Sequence, residues 1–372
     1  MTGESGSRRH GTSWPPRYRG VTYDTGTNFA TGQGELSRTV WSTERMTGEV
    51  RAVAERLHAN SITVYGSDLG RLEATARAAA DHGLHVRLQP RLVDRPQDEV
   101  LEHLAAAAAF AGRMRREGAA IAVNAGCVAS VFVPGIVPGE RYHERMANIF
   151  AAAEHRVLTP TGAVDLEAGA QRLNSFLDRA VKTVRREFDG EVGYAAAPFE
   201  DVDWRMTDVI GLMHFYTLQY PADMAERCRE LQRYRAWGKP VLIAEFGTAT
   251  WAGAGERAFM SFDIVDRTGA APVVVDGVVR DEDAQADFHL SMLETFEQAG
   301  IDGVAVAEFI HPTHPWSPDP RFDLDAASMA ITRTVRADYA DPDSAYHWEP
   351  KASFHALADY YADARRASAH DE

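Results

Sequence analysis

Cysteine is scarce: the 372-residue chain has two, Cys127 and Cys228. They lie far apart and form no CxxC unit, which excludes a disulfide framework and a structural zinc site and suits a reducing compartment. No uncharged apolar run reaches the length of about eighteen residues that a membrane span needs. The start of the chain carries Arg8-Arg9-His10 and Trp14-Pro15-Pro16 but no apolar stretch, so no secretion signal is expected. Positive charge is in deficit, with 39 Lys and Arg against 54 Asp and Glu, a net −15. That balance disfavours nucleic acid and anionic membrane as partners, since both select clustered basic side chains. No GxGxxG follows the first strand-like segment, so nothing marks a dinucleotide site, and no cofactor is implied. What remains is an acidic protein expected in the cytoplasm and acting on a small molecule, with its oligomeric state undefined.

Hydrophobic residues make up 45% of the chain and charged residues 25%, an ordinary globular balance. Short apolar segments alternate with helical periodicity. Strands are expected at 19–24, 61–66, 84–88, 119–124, 191–197, 209–216, 241–245 and 303–309. Helices are expected at 47–59, from an Asp68 cap to Asp81, then at 96–117, 166–188, 222–237, 283–299 and 350–366. One pass of this alternation predicts an α/β fold, a (β/α)8 TIM barrel over residues 19–366, with a leader at 1–18 and a tail at 367–372. A doubly wound open sheet is the structural alternative. Two segments exceed ordinary connections, 131–164 and 249–282. The first has the length of a lid or binding element. In the second, Asp276-Gly277 reads as the turn of a hairpin over 272–279.

Reactive side chains of such a barrel collect at the carboxyl ends of its strands. Val241, Ile243 and Glu245 share one strand face, which carries Glu245 to the mouth. Ile210, Leu212, His214 and Tyr216 share a face of the preceding strand, so His214 and Tyr216 are expected beside Glu245. There a tyrosine hydroxyl would orient the carboxylate and a histidine would shuttle protons near neutral pH. Other strand ends offer Tyr23, Asp24, Tyr65, Arg87, Gln89, Asn124, Cys127, Val128 and Glu308 as substrate contacts. For Arg87 a salt bridge inside the barrel is an equal reading. Trp251 and Trp316 read as aromatic walls or as packing under long loops. The run His311-x-x-His314-x-Trp316 has no third ligand fixed by spacing, so no metal site is assigned.

The strand Val241-Leu242-Ile243-Ala244-Glu245-Phe246-Gly247, with His214-Phe215-Tyr216 one strand earlier, resembles retaining glycoside hydrolases built on TIM barrels. That resemblance implies that Glu245 stands at the nucleophile position, with Tyr216 contacting it. Longer motifs resemble actinobacterial glycosidase-like proteins of the abortive-infection type. They are Arg19 to Gly26, Pro198 to Trp204, Pro318 to Pro320 with Asp323 to Ser328, and Trp348 to Lys351. The general acid/base glutamate of the superfamily belongs at the end of strand four. Here that segment reads Gly126-Cys127-Val128-Ala129-Ser130, and Val128 occupies the glutamate position. Retaining hydrolysis needs two carboxyl groups roughly 5–5.5 Å apart. The resemblance therefore implies a pseudoglycosidase: a cofactor-free acid/base enzyme of bacterial specialised metabolism that forms a ring on an apolar intermediate, by macrocyclisation or conjugate addition. The alternatives are a glycoside hydrolase or transglycosidase with a displaced acid, for which Glu140, Glu144, Glu200 and Glu308 are candidates, and a non-catalytic binding barrel.

Overall fold

Eight parallel strands pair side by side and close on themselves in a computed structural model that describes residues 16–28, 35–155, 165–215 and 224–368. In chain order these strands are β1 (Tyr18–Asp24), β2 (Ser61–Gly66), β3 (His85–Pro90), β4 (Ile121–Cys127), β5 (Val192–Ala196), β6 (Ile210–Met213) and β7 (Val241–Phe246). A two-stranded antiparallel pair follows, β8 (Val265–Asp266) with β9 (Val273–Val274), before β10 (Gly303–Val306) closes the barrel between β7 and β1. The fold is thus the expected (β/α)8 barrel. Strand β7 begins as a continuous apolar run, Val241 to Ala244, whereas β3 alternates and carries Arg87 and Gln89.

The helices follow local signals. Asp68 caps α2 (Leu69–Asp81) by accepting the Arg71 N–H at 2.8 Å. Pro96 precedes α3 (Gln97–Arg116), and α9 (Glu282–Ala299) ends at Gly300, whose φ of 69° suits a residue without Cβ. The other helices on the barrel are α1 (Thr43–Glu55), α6 (Leu166–Glu187), α7 (Met224–Gln232) and α10 (Ala352–Ser368), and the short α8 (Ala254–Arg257) lies in the connection after β7.

The long connections differ from their expected form. The segment after β4 holds two helices, α4 (Ala129–Phe132) and α5 (Tyr142–His155). It is pinned to the barrel by fully buried Arg145, which donates to the carbonyls of Val131 (2.6 Å), Gly139 and Glu140 (both 3.0 Å) and pairs with Asp94. The expected hairpin about Asp276-Gly277 does not form. Val273 and Val274 pair instead with Asp266 and Val265, seating Val274 on a small second core with Ile264, Leu324, Ala326 and Ala327. After β10 the chain adds an antiparallel ribbon, β11 (Thr332–Arg336) with β12 (Tyr346–Pro350), which packs Trp348 on Phe309. No helix among the described residues is long and apolar enough to cross a membrane.

Candidate active site

Alternation on β3 points Arg87, Gln89 and, just past the strand, Arg91 toward the barrel axis, where Gln89 and Arg91 reach Glu245 at the end of β7. Arg91 is the hub. Its Nη2 lies 3.1 Å from Glu245 Oε1 and 3.2 Å from Cys127 Sγ. The guanidinium stacks 4.2 Å from the ring centre of Tyr65 and 5.3 Å from that of Phe132. Buried cations persist when so surrounded by carboxylate and aromatic faces. Gln89 adds a long contact, Nε2 to Glu245 Oε1 at 3.5 Å. Burial pushes the Glu245 carboxyl above its usual range; Arg91 opposes this and the charge of Glu308 adds to it. Burial likewise pushes the Cys127 thiol up, to about 12, so it is a neutral, apolar wall, with its sulfur 3.8 Å from that of Met213.

Across the mouth stands a second carboxyl. Glu308 follows β10 and accepts from the Tyr65 hydroxyl at 2.7 Å, while His311 Nδ1 lies 3.1 Å from its other oxygen. Burial would raise Glu308, but His311 and the two hydrogen bonds outweigh it, and Glu308 sits below its usual range. Burial would lower His311, yet Glu308 outweighs that and holds the imidazole above its ordinary value. The His314 ring packs 4.1 Å from that of His311. Asp24 completes this side, its carboxylate accepting the Gly26 N–H at 2.8 Å. Burial raises Asp24, and the Glu308 charge raises it further. Two acids with opposite shifts in one cleft form a pattern suited to proton transfer in both directions.

Several expected site residues lie elsewhere. His214 does not face Glu245. The register of β6 on β7 slips between Leu212 and Met213, so Met213 pairs with Glu245 and the alternation breaks one residue early. The His214 ring is instead fully buried, edge-on to Phe296 of α9 at 5.3 Å, and burial lowers its pKa to about 3. Tyr216 lies outside the described residues. Tyr23 turns away from the mouth, donating to Glu49 at 2.5 Å beneath the Arg38 guanidinium. Arg87 pairs with Glu191 at 2.6 Å near the amino-terminal end of the barrel, and Asn124 bridges it to Gln89. Trp251 donates its indole N–H to the Ser261 carbonyl and packs on the second core. Trp316 lies beneath the Arg333 guanidinium, 4.5 Å from its ring centre.

The end of β4 carries Val128 and no carboxylate. Val128 is buried and left-handed, with φ 43° and ψ 49°, an uncommon conformation for a β-branched residue. Of the displaced acids, Glu200 is fully engaged, accepting from the Ser130 N–H and hydroxyl, the Tyr194 hydroxyl and the Ala197 N–H. Glu144 caps the exposed start of α5 through the N–H groups of Glu140 and Arg141. Only Glu308 of the four is brought into the network around Arg91. Among the described residues, no three or more His, Cys, Asp and Glu are grouped to hold a metal ion. Arg91, Met213, Phe132 and the His311 partnership escaped the sequence reading. Arg91 was within its reach, two residues beyond Gln89 on the same parity, but Pro90 hid it.

No family model and no curated protein sequence matches the chain. Solved structures do match its fold, glycoside hydrolases among them. A GH113 β-1,4-mannanase aligns with a TM-score of 0.57 at 14% identity, over 93% of this chain and 99% of its own. The GH113 β-mannanase from Alicyclobacillus acidocaldarius aligns at 0.56 and 16% identity, over 94% and 98%. The family 1 β-glucosidase from Thermotoga maritima aligns at 0.54 and 12% identity, over 95% and 98%. The chain is therefore a (β/α)8 barrel of the kind that glycoside hydrolases use. At these identities the likeness is one of fold.

Proposed function

We propose that the chain is a pseudoglycosidase, a cofactor-free acid/base enzyme that closes a ring on an apolar small molecule of bacterial specialised metabolism. The observation that carries this reading is the end of β4, where a buried valine stands and Glu245 is neutralised by Arg91. A conjugate addition fits the groups present. The Glu308–His311 pair takes a proton from carbon beside a carbonyl. The resulting carbanion forms a bond to the β-carbon of an unsaturated carbonyl in the same molecule. Electrons move onto that carbonyl oxygen, which Arg91 stabilises; Glu245 in its protonated form delivers a proton to the enolate carbon, and exchange with water then removes the proton held by the Glu308–His311 pair and restores that of Glu245. The product is an isomer of the substrate, so no oxidant or co-reactant is consumed. Cys127, Val128, Met213 and Phe132 supply a dry wall for the greasy chain. The test is made in the source organism: Glu245→Gln and Glu308→Gln should each replace a cyclic metabolite by an open isomer of equal mass. An unchanged metabolite profile in both variants would sink the reading.

A second reading rests on the Glu308–His311 pair, whose imidazole is raised by the carboxylate and can supply the proton in a hydrolase whose acid has moved to the end of β10. It predicts turnover of aryl glycosides, whose leaving groups need little protonation. Under the first reading the wild-type protein leaves chromogenic aryl glycosides intact. Hydrolysis gained by Val128→Glu would show that the missing acid is the only obstacle, a recovery on the order of 10²–10⁴-fold if acid/base help is restored.

A further inference from the structure

Four polar side chains run through the barrel interior from its amino-terminal end to Glu245. Arg87 Nη2 lies 2.6 Å from Glu191, which precedes β5, and Arg87 Nη1 donates to Asn124 Oδ1 at 3.3 Å. Asn124 Nδ2 donates to Gln89 Oε1 at 2.7 Å, and Gln89 Nε2 donates to Glu245 Oε1 at 3.5 Å. The direction of this row is not arbitrary. A guanidinium has donors and no acceptor, whereas each amide can turn either end to a neighbour. Arg87 therefore commits the Asn124 oxygen to accepting, and the Asn124 NH₂ must face Gln89. Gln89 is left with its own NH₂ for the carboxylate. Turning both amides over would set Asn124 Nδ2 against Arg87, donor on donor, and Gln89 Oε1 against the Glu245 oxygen.

The backbone makes room for the row at one point. A Cβ on Gly193 of β5 would lie 2.8 Å from Asn124 Oδ1, 2.9 Å from Val209 Cγ2 and 3.2 Å from Arg87 Nη1. Any larger residue there would force the Arg87–Asn124 contact aside. We propose that Arg87 is a positioning residue, anchored at the far end of the barrel, which acts through Asn124 to hold the Gln89 amide with its NH₂ toward Glu245. This role rests on Glu245 being the proton-handling carboxyl, but it is tested by the titration of that carboxyl and not by turnover.

Protein labelled with carboxyl ¹³C-glutamate is titrated by NMR, with the Glu245 signal assigned by its loss in Glu245→Gln. Arg87→Gln can accept as well as donate, so it releases both amides and should raise the Glu245 midpoint by roughly 1 pH unit. Arg87→Lys keeps a donor-only group and should leave the midpoint in place. In a Gln89→Leu background Arg87→Gln should shift it little, because the amide that transmits the effect is gone. An equal shift in both backgrounds would mean that the lost charge acts directly across the barrel, and that result overturns the proposal, as does no shift at all. If Arg87→Gln does not fold, Asn124→Asp replaces it. That variant keeps a partner for Arg87 and draws the Gln89 NH₂ away from Glu245. A larger rise with Gln89 present than with Gln89→Leu supports the role, and equal rises refute it. Undiminished turnover in Glu245→Gln would count against the proposed function and leave this result standing.

Discussion

Removing the guanidinium of Arg91 leaves Glu245 buried with a single long amide contact and with Glu308 across the mouth. Breaking a buried ion pair from one side costs about 3–5 kcal/mol, because the remaining charge is stranded. Arg91→Met should lose stability on that order by urea unfolding at pH 7. Adding Glu245→Gln should recover most of the loss, since no unpaired charge is left. Additive losses in the double variant would show that the two side chains stabilise the barrel separately. The same two residues show how far the site could be read in the sequence. Glu245 was legible because an unbroken apolar run delivers it to a strand end. Arg91 obeys the alternation that found Arg87 and Gln89, but the proline before it marks the end of the strand. His214 failed for a different reason: alternation holds only while register holds, and one slip against β7 puts Met213 level with Glu245.

At the scale of elements, helices and strands with local signals were legible, and those held by distant contacts were not. Asp68 and Gly300 announce their helix ends through their own backbone requirements. The ribbon of β11 and β12 is mostly polar, Thr332-Arg333-Thr334-Val335-Arg336 against Tyr346-His347-Trp348-Glu349-Pro350. It is held by packing of Trp348 on Phe309 and Phe354, which no short window of sequence contains. Packing between elements also predicts opposite outcomes for two glycines. A Cβ on Gly112 of α3 would lie 2.4 Å from the Glu187 carbonyl of α6, whereas one on Gly48 of α1 meets nothing within 4 Å. Gly112→Ala should force α3 and α6 apart and cost about 1–3 kcal/mol. Gly48→Ala should gain up to about 1 kcal/mol from helix propensity alone. Thermal unfolding of the two variants beside the wild type measures both, and a neutral Gly112→Ala would mean the helices slide without loss.

For the molecule as a whole, the two fully buried histidines among the described residues, His214 and His289, lead a set that also includes His85, His103 and His314 in setting an acid limit. His214 packs on Phe296, and His289 packs on Phe246 and Phe288. Burial is the main cause in both, and it lowers each to about 3. In the unfolded chain a histidine titrates near 6.5. Between these values the unfolded state binds a proton at each site that the folded state does not, so stability falls as pH falls. The loss begins near pH 6.5 and reaches up to about 1.4 kcal/mol per pH unit for each histidine. Asp24, Glu200 and Glu245, all raised mainly by burial, work in the opposite sense. They bind protons before the unfolded chain does and offset part of the loss once the pH enters the carboxylate range. His311, raised by Glu308, contributes stability that is complete below its unfolded value and is lost as pH rises through its folded one. The steepest decline should therefore fall between about pH 6.5 and 5, before the carboxyls respond. Urea unfolding at several pH values across that window gives the slope. His289→Leu keeps the ring's apolar surroundings without a titrating group and should flatten the slope by about a fifth, because His85, His103 and His314 are lowered by burial as well. An unchanged slope would mean that His289 is not buried in its neutral form.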